Sequence, residues 1–124
     1  NNKTKYLFKN DFVTFKNKKT FFAMTAHIIY KSIDPLNTAT HSSKIIKLIR
    51  NKIGFKNIII SDDISMKGLK YSIRSNTLRA FAAGCNLILH CNANYSEMRT
   101  VAENSPLLDK FIIKKTSQFY KFLS

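Results

Sequence analysis

A chain of 124 residues, 44% hydrophobic and with a formal net charge of +14, has the length of one average domain and enough apolar material for a core. It holds no run of about 18 apolar residues and no basic-then-apolar leader, so neither a membrane span nor an intact signal peptide is visible; a soluble, intracellular protein is the expectation. Cys85 and Cys91 lack the paired spacing of a zinc site and the density of a disulfide framework, so both read as buried thiols and no cofactor or metal is expected.

The basic charge raises the question of a polyanion partner, because cationic surfaces condense onto phosphate backbones. The lysines are spread from Lys3 to Lys121, and the compact patch is Lys16-Asn17-Lys18-Lys19. No zinc-finger spacing, aromatic RNA-binding signature or basic zipper accompanies them. The charge therefore reads as composition displayed on solvated faces, and no nucleic-acid partner is expected.

The polar amino-terminal stretch holds one apolar cluster, Tyr6-Leu7-Phe8, with no obvious partner. Phe21-Phe22-Ala23-Met24-Thr25 reads as the first strand, followed by an irregular loop with Asp34-Pro35. Ser42 is a good N-cap for a helix whose apolar face is Ile45, Ile46, Leu48, Ile49 and Ile53, and Gly54 supplies a left-handed stop. A second strand spans Asn57 to Ser61. A second helix, from about Ile73 to Ala83, is expected to bury Leu78, Phe81 and Ala82 and to stop at Gly84. A third strand, Asn86 to His90, precedes Asn94 and Glu97, whose spacing is that of a capping box for a helix with Met98, Val101 and Ala102 inside. Ser105-Pro106 opens a fourth helix with an apolar stripe of Leu108, Phe111, Ile112, Lys115, Phe119 and Phe122.

This alternation is that of βα units with a parallel sheet. Three such units do not finish a structure: a closed barrel takes eight and about 250 residues. No linker or low-complexity tract divides the chain, so residues 1–124 read as a single partial domain, a piece of something larger.

Parallel strands side by side bring their carboxyl ends to one rim, here Thr25-Ala26-His27, Ser61-Asp62-Asp63 and His90-Cys91-Asn92. The hexapeptide Ser61-Asp62-Asp63-Ile64-Ser65-Met66 is the most informative, since it places two carboxylates directly after the apolar run Ile58-Ile59-Ile60 and just before Gly68. The rim has no Gly-rich phosphate cradle, no Ser or Cys nucleophile with a base at motif spacing and no dense metal cluster. A carboxylate acting as nucleophile or base fits best.

In order and spacing, Ala23-Met24-Thr25-Ala26-His27, Tyr30, Asp34-Pro35, Gly54-Phe55, Ile60-Ser61-Asp62-Asp63-Ile64-Ser65-Met66, Ala82-Ala83-Gly84-Cys85-Asn86 and Cys91-Asn92 resemble the successive motifs of bacterial β-N-acetylglucosaminidases of glycoside hydrolase family 3. The resemblance spans roughly residues 10 to 105. It implies an α/β fold that is the carboxyl-terminal part of a (β/α)8 barrel, about three βα units plus a terminal helix. It also implies a cytoplasmic β-N-acetylhexosaminidase that removes terminal non-reducing N-acetylglucosamine from muropeptide fragments with retention of configuration. The family's nucleophile falls on Asp62, with Asp63 its structural neighbour, and His27 and Met66 are the expected substrate contacts. The family's general acid/base is a His assisted by an Asp, on a loop after a Lys-His-Phe-Pro-Gly-His-Gly motif, and neither occurs here. An amino-terminal half, in the same or a separate chain, would have to supply it. Smaller departures are Thr14, Lys31 and Thr38, where the family tends to have Pro.

Each residue also has a plainer reading. Asp62 serves as a turn cap, Asp63 as a loop hydrogen-bond acceptor, and His27 as support behind the substrate rather than a contact. His41 reads as a solvated loop residue, His90 as a satisfied core histidine, and Met24 and Met66 as packing. A non-catalytic remnant of the enzyme and a basic nucleic-acid-binding module are the alternative functions.

Overall fold

The structure, a computed structural model, describes residues 2–16 and 19–124. Its centre is a three-stranded, fully parallel sheet in the order β1 (Phe22–Met24), β2 (Ile58–Asp63), β3 (Leu87–Leu89), with Phe22 opposite Ile58 and Ile60 opposite Leu87. The α/β expectation is met. β1 and β3 are shorter than their apolar runs, and β2 runs two residues further than expected, through both carboxylates.

The helices are α1 (Asn2–Tyr6), α2 (Ser43–Leu48), α3 (Ile73–Ala83), α4 (Tyr95–Glu103) and α5 (Lys110–Leu123). α1 was not anticipated; it continues through a π turn (Leu7–Asp11) and a 3-10 turn (Phe12–Phe15). Its partner is aromatic: Phe8 meets Phe12 edge-on at 5.4 Å, and buried Phe12 meets Tyr30 at 5.8 Å. The basic patch falls partly outside the described residues, at Asn17 and Lys18.

Capping chemistry sets the helix ends. The Ser42 hydroxyl accepts from the Ile45 N–H and donates to Asp34 Oδ2 at 2.6 Å, so one side chain starts α2 and ties down the preceding loop. A π turn prolongs α2 to Ile53, where Gly54 reverses the chain at φ +79°. α3 ends at Gly84, φ +115°, and there a Cβ would lie 2.8 Å from Ile46 Cγ2. α5 begins later than expected, its amide capped by Asp109 instead of Ser105-Pro106.

The core is one-sided. Ile46, Phe55, Ile59, Ala80, Ala83 and Cys85 pack between the sheet and α2 and α3, with Ala23 and Ile88 against them. α3 therefore buries Asn76, Thr77, Ala80 and Ala83, not Leu78 and Ala82, which are exposed. Small residues face the sheet because the helix lies close upon it. Asn76 donates to the Ile64 and Tyr71 carbonyls and Thr77 to that of Ile73, while among the described residues the buried Asn76 Oδ1 has no partner. Likewise α4 buries nothing fully, and Met98 and Ala102 of its expected inner face are exposed. In the α5 stripe Ile112 is buried, Phe111, Lys115 and Phe119 are half-buried, and Leu108 and Phe122 are exposed. Phe119 lies 5.2 Å from both Phe21 and Phe22.

On the other side of the sheet, Phe22 and Met24 alternate with Ala23 and point away from the core; Met24 is 59% exposed. At the entry end of the strands Arg50 donates to the carbonyls of Phe55 (3.0 Å) and Asn57 (2.5 Å) and to Asn86 Oδ1 (2.7 Å), while its guanidinium lies over Phe55 and Phe111.

Candidate active site

The three strand ends are stitched together at the carboxyl rim. Leaving β1, the Thr25 N–H donates to the Ile60 carbonyl at 2.9 Å. Between Ile60 and Asp63 the pairing with β3 is irregular, three residues of β2 spanning two of β3. Buried Ser61 repairs the gap, its hydroxyl accepting the Leu89 N–H at 2.9 Å. Such a bulge bends the strand and re-aims the side chains that follow it.

Asp63 is the hub. Its carboxylate accepts from the Ser65 N–H (3.0 Å), the Ser65 hydroxyl (2.7 Å) and the Cys91 N–H (3.1 Å), and its carbonyl accepts from His27 Nε2 (2.7 Å). The loops after all three strands therefore converge on one residue. Desolvation works to raise the Asp63 pKa, but the Ser65 amide and hydroxyl, the Cys91 amide and the nearby His90 outweigh it and hold the carboxyl below the ordinary value. With three donors on its carboxylate, Asp63 has the loop-acceptor geometry of its plainer reading.

Asp62 is different. It is half-buried, and Oδ1 accepts the Asp63 N–H at 2.8 Å. Neither the Ser61 nor the Ser65 hydroxyl reaches it: Ser61 is committed to β3 and Ser65 to Asp63. Among the described residues no donor reaches Asp62 Oδ2, which leaves a carboxylate oxygen able to form a new bond.

His27 lies beside this pair with both ring nitrogens occupied, Nδ1 at 2.9 Å from Thr40 Oγ1 and Nε2 on the Asp63 carbonyl. Met66 sits on the turn after β2, 49% exposed, its N–H donating to the Asp63 carbonyl. His90 is half-buried just beyond β3, its side chain only 6% exposed, and its Nε2 meets Glu97 Oε2 at 2.8 Å; among the described residues its Nδ1 has no partner, so it is not the satisfied core histidine expected. Glu97 was read as half of a capping box. The Asn94 half forms, accepting the Glu97 N–H, but the carboxylate instead binds His90 and Asn92, which hold its pKa down.

Two readings change. His41 is half-buried rather than solvated, bonded to the Asn76 carbonyl, and burial lowers its pKa. Cys91 is exposed; Cys85 is buried as expected, and desolvation pushes its thiol up to about 11. Thr40 was missed altogether: it is fully buried and links Thr25 to His27. Cavities of about 410 Å3 beside Tyr6 and Tyr30 and about 600 Å3 beside Arg50 and Phe111 are lined by none of the rim residues.

Residues 1–116 match the glycosyl hydrolase family 3 N terminal domain. The chain belongs to glycosyl hydrolase family 3. This family 3 chain is 44% identical over 72 residues to a beta-hexosaminidase of Nitrosomonas eutropha, covering 56% of this chain and 20% of that protein. It is 31% identical over 99 residues to a beta-hexosaminidase of Psychromonas ingrahamii, covering 78% and 27%. The crystal structure of the beta-N-acetylglucosaminidase from Thermotoga maritima superposes with a TM-score of 0.69 at 28% identity, over 97% of this chain and 29% of that one. The chain thus spans between a fifth and less than a third of the length of these relatives.

Proposed function

We propose that the chain is the carboxyl-terminal part of a (β/α)8 barrel and supplies the nucleophile of a retaining β-N-acetylhexosaminidase. The observation that supports this most is the pair of adjacent carboxylates at the exit of the central parallel strand, one saturated with donors and the other with a free oxygen. In a retaining reaction Asp62 Oδ2 attacks the anomeric carbon as the glycosidic C–O bond breaks, and an acid protonates the departing oxygen. Water then adds to that carbon and gives a proton back to the deprotonated acid, while the ester to Asp62 breaks and the carboxylate returns. The single amide on Oδ1 keeps the carboxyl oriented while Oδ2 reacts.

The acid is supplied from outside these 124 residues, by the amino-terminal half of the barrel in the same or a separate chain. The substrate is a terminal non-reducing N-acetylglucosamine on a peptidoglycan fragment, with exposed Met66 against the sugar. The reaction needs no cofactor. Among the described residues no helix is long and apolar enough to cross a membrane, and a cytoplasmic setting suits a substrate released from the wall. A second reading is a non-catalytic remnant, in which Asp62 no longer reacts even in the completed barrel.

Hydrolysis of a chromogenic N-acetyl-β-glucosaminide by the chain, alone and completed by the remaining barrel units, separates the two. Activity in the completed protein that disappears in Asp62→Ala is the expected result. Silence from a folded, completed protein would leave the remnant reading standing.

A further inference from the structure

Four hydrogen bonds run in series across the rim: Thr25 Oγ1 to Thr40 Oγ1 at 2.9 Å, Thr40 Oγ1 to His27 Nδ1 at 2.9 Å, His27 Nε2 to the Asp63 carbonyl at 2.7 Å, and the Asp63 N–H to Asp62 Oδ1 at 2.8 Å. We propose that His27 is a positioning residue for Asp62, acting through the backbone of Asp63. The inference rests on Asp62 being the nucleophile.

The chemistry of the partners dictates the tautomer. A carbonyl oxygen only accepts, so His27 Nε2 bears the proton; in the neutral ring Nδ1 then accepts from the Thr40 hydroxyl, which in turn accepts from Thr25. Thr40 Oγ1 also lies 3.3 Å from the Ala26 carbonyl, a second and longer outlet for its one proton. The ring is thus oriented by a hydroxyl that is itself fully buried, and its donor is fixed on the Asp63 carbonyl. The carbonyl and the amide of Asp63 flank one Cα. Holding the first restricts rotation of the second, and the second is the sole donor to Asp62 among the described residues.

The loop after β2 closes on the same ring, since a Cβ at Gly68 would come within 3.3 Å of His27 Cβ. With both nitrogens taken and Gly68 against it, the imidazole has no free polar atom for a sugar hydroxyl. Its effect falls on nucleophile geometry, where a misplacement of about 1 Å costs on the order of 100-fold in rate.

Two variants split the role. In His27→Gln the side-chain amide reaches about as far as Nε2 and keeps a donor for the Asp63 carbonyl; in His27→Asn it reaches only as far as Nδ1 and retains the Thr40 side alone. The first readout is NMR of the 15N-labelled completed protein. We expect an Nε2–H tautomer, and an Asp63 amide proton shift that follows ionisation of Asp62 with an amplitude cut by roughly half in His27→Asn but kept in His27→Gln, with α3 amides unmoved. The second is hydrolysis by the completed protein, with kcat lower by roughly tenfold or more in His27→Asn, KM within about twofold, and recovery in His27→Gln. An Nδ1–H tautomer, an unchanged amide response in His27→Asn, or a raised KM at constant kcat would overturn the proposal. Silence of the unsubstituted completed protein would sink the glycosidase reading and this role with it. The amide response still reports whether the clamp exists, so the two failures are distinguishable.

Discussion

Asp62 and Asp63 differ by one position and receive one and three donors respectively on their carboxylates. The pleat sends successive side chains to opposite faces, and the bulge at Ser61 lets the loops from both neighbouring strands reach Asp63 only. Asp63→Ala leaves the Ser65 and Cys91 donors without an acceptor, and a loss of about 1–3 kcal/mol is expected from the urea midpoint at constant slope. Ionisable groups also set the acid response. Burial holds the His41 pKa below its ordinary 6.5, so its neutral form contributes stability that is present above 6.5 and lost as pH falls through the lower folded value. The Ser42 hydroxyl, followed by Asn37 and two amides, holds Asp34 below 3.8, and Asp63 is depressed too; stability from these two is present above 3.8 and lost at still lower pH. Thermal melts should therefore weaken in two stages on acidification. His41→Gln is expected to remove the first stage only; a variant that melts in parallel with the unsubstituted chain from about pH 7 to 5 would refute this.

At the scale of elements, Gly84 is the sharpest constraint, because it meets two independent demands: a left-handed φ and a 2.8 Å approach to Ile46 Cγ2. Gly84→Ala should cost about 1–3 kcal/mol in chemical denaturation. Gly54→Ala, with a similar φ and open space around it, should cost less, about 1–2 kcal/mol. Local signals such as these were readable beforehand. Ser42, Gly54, Gly84 and Asn94 act within a few residues of themselves, and three apolar runs sufficed to place three strands. Helix faces were not readable: α3 offers the stripe with Leu78 and the stripe with Ala80, and which one is buried depends on how closely the sheet approaches. The rim was legible as a set of residues, not as a network. His27 meets Thr40 across 13 positions and Asp63 across 36, and no periodicity encodes partners so far apart.

For the molecule as a whole, one face of the sheet is covered by helices and the other exposes Phe22 and Met24, with both edge strands unpaired among the described residues. Open edges beside an apolar face recruit further strands. The chain by itself should self-associate in sedimentation velocity, and Met24→Lys, which changes the open face without touching the core, should shift it toward monomer; equal sedimentation of the two proteins would argue against this. Arg50 sits at the far end of β2 from all of this, its guanidinium holding two carbonyls and a side-chain amide where the strands begin. β2 is six residues long, so this anchor and the Asp62 carboxylate are separated by roughly 20 Å. The consequence is evolutionary: the strands are held at their entry end as well as through Asp63 at the rim, and neither hold passes through the Asp62 carboxylate. A substitution confined to the Asp62 carboxylate can therefore change what the rim does while leaving a scaffold that still folds, and a lineage altered in this way keeps a frame on which another chemistry can be tried.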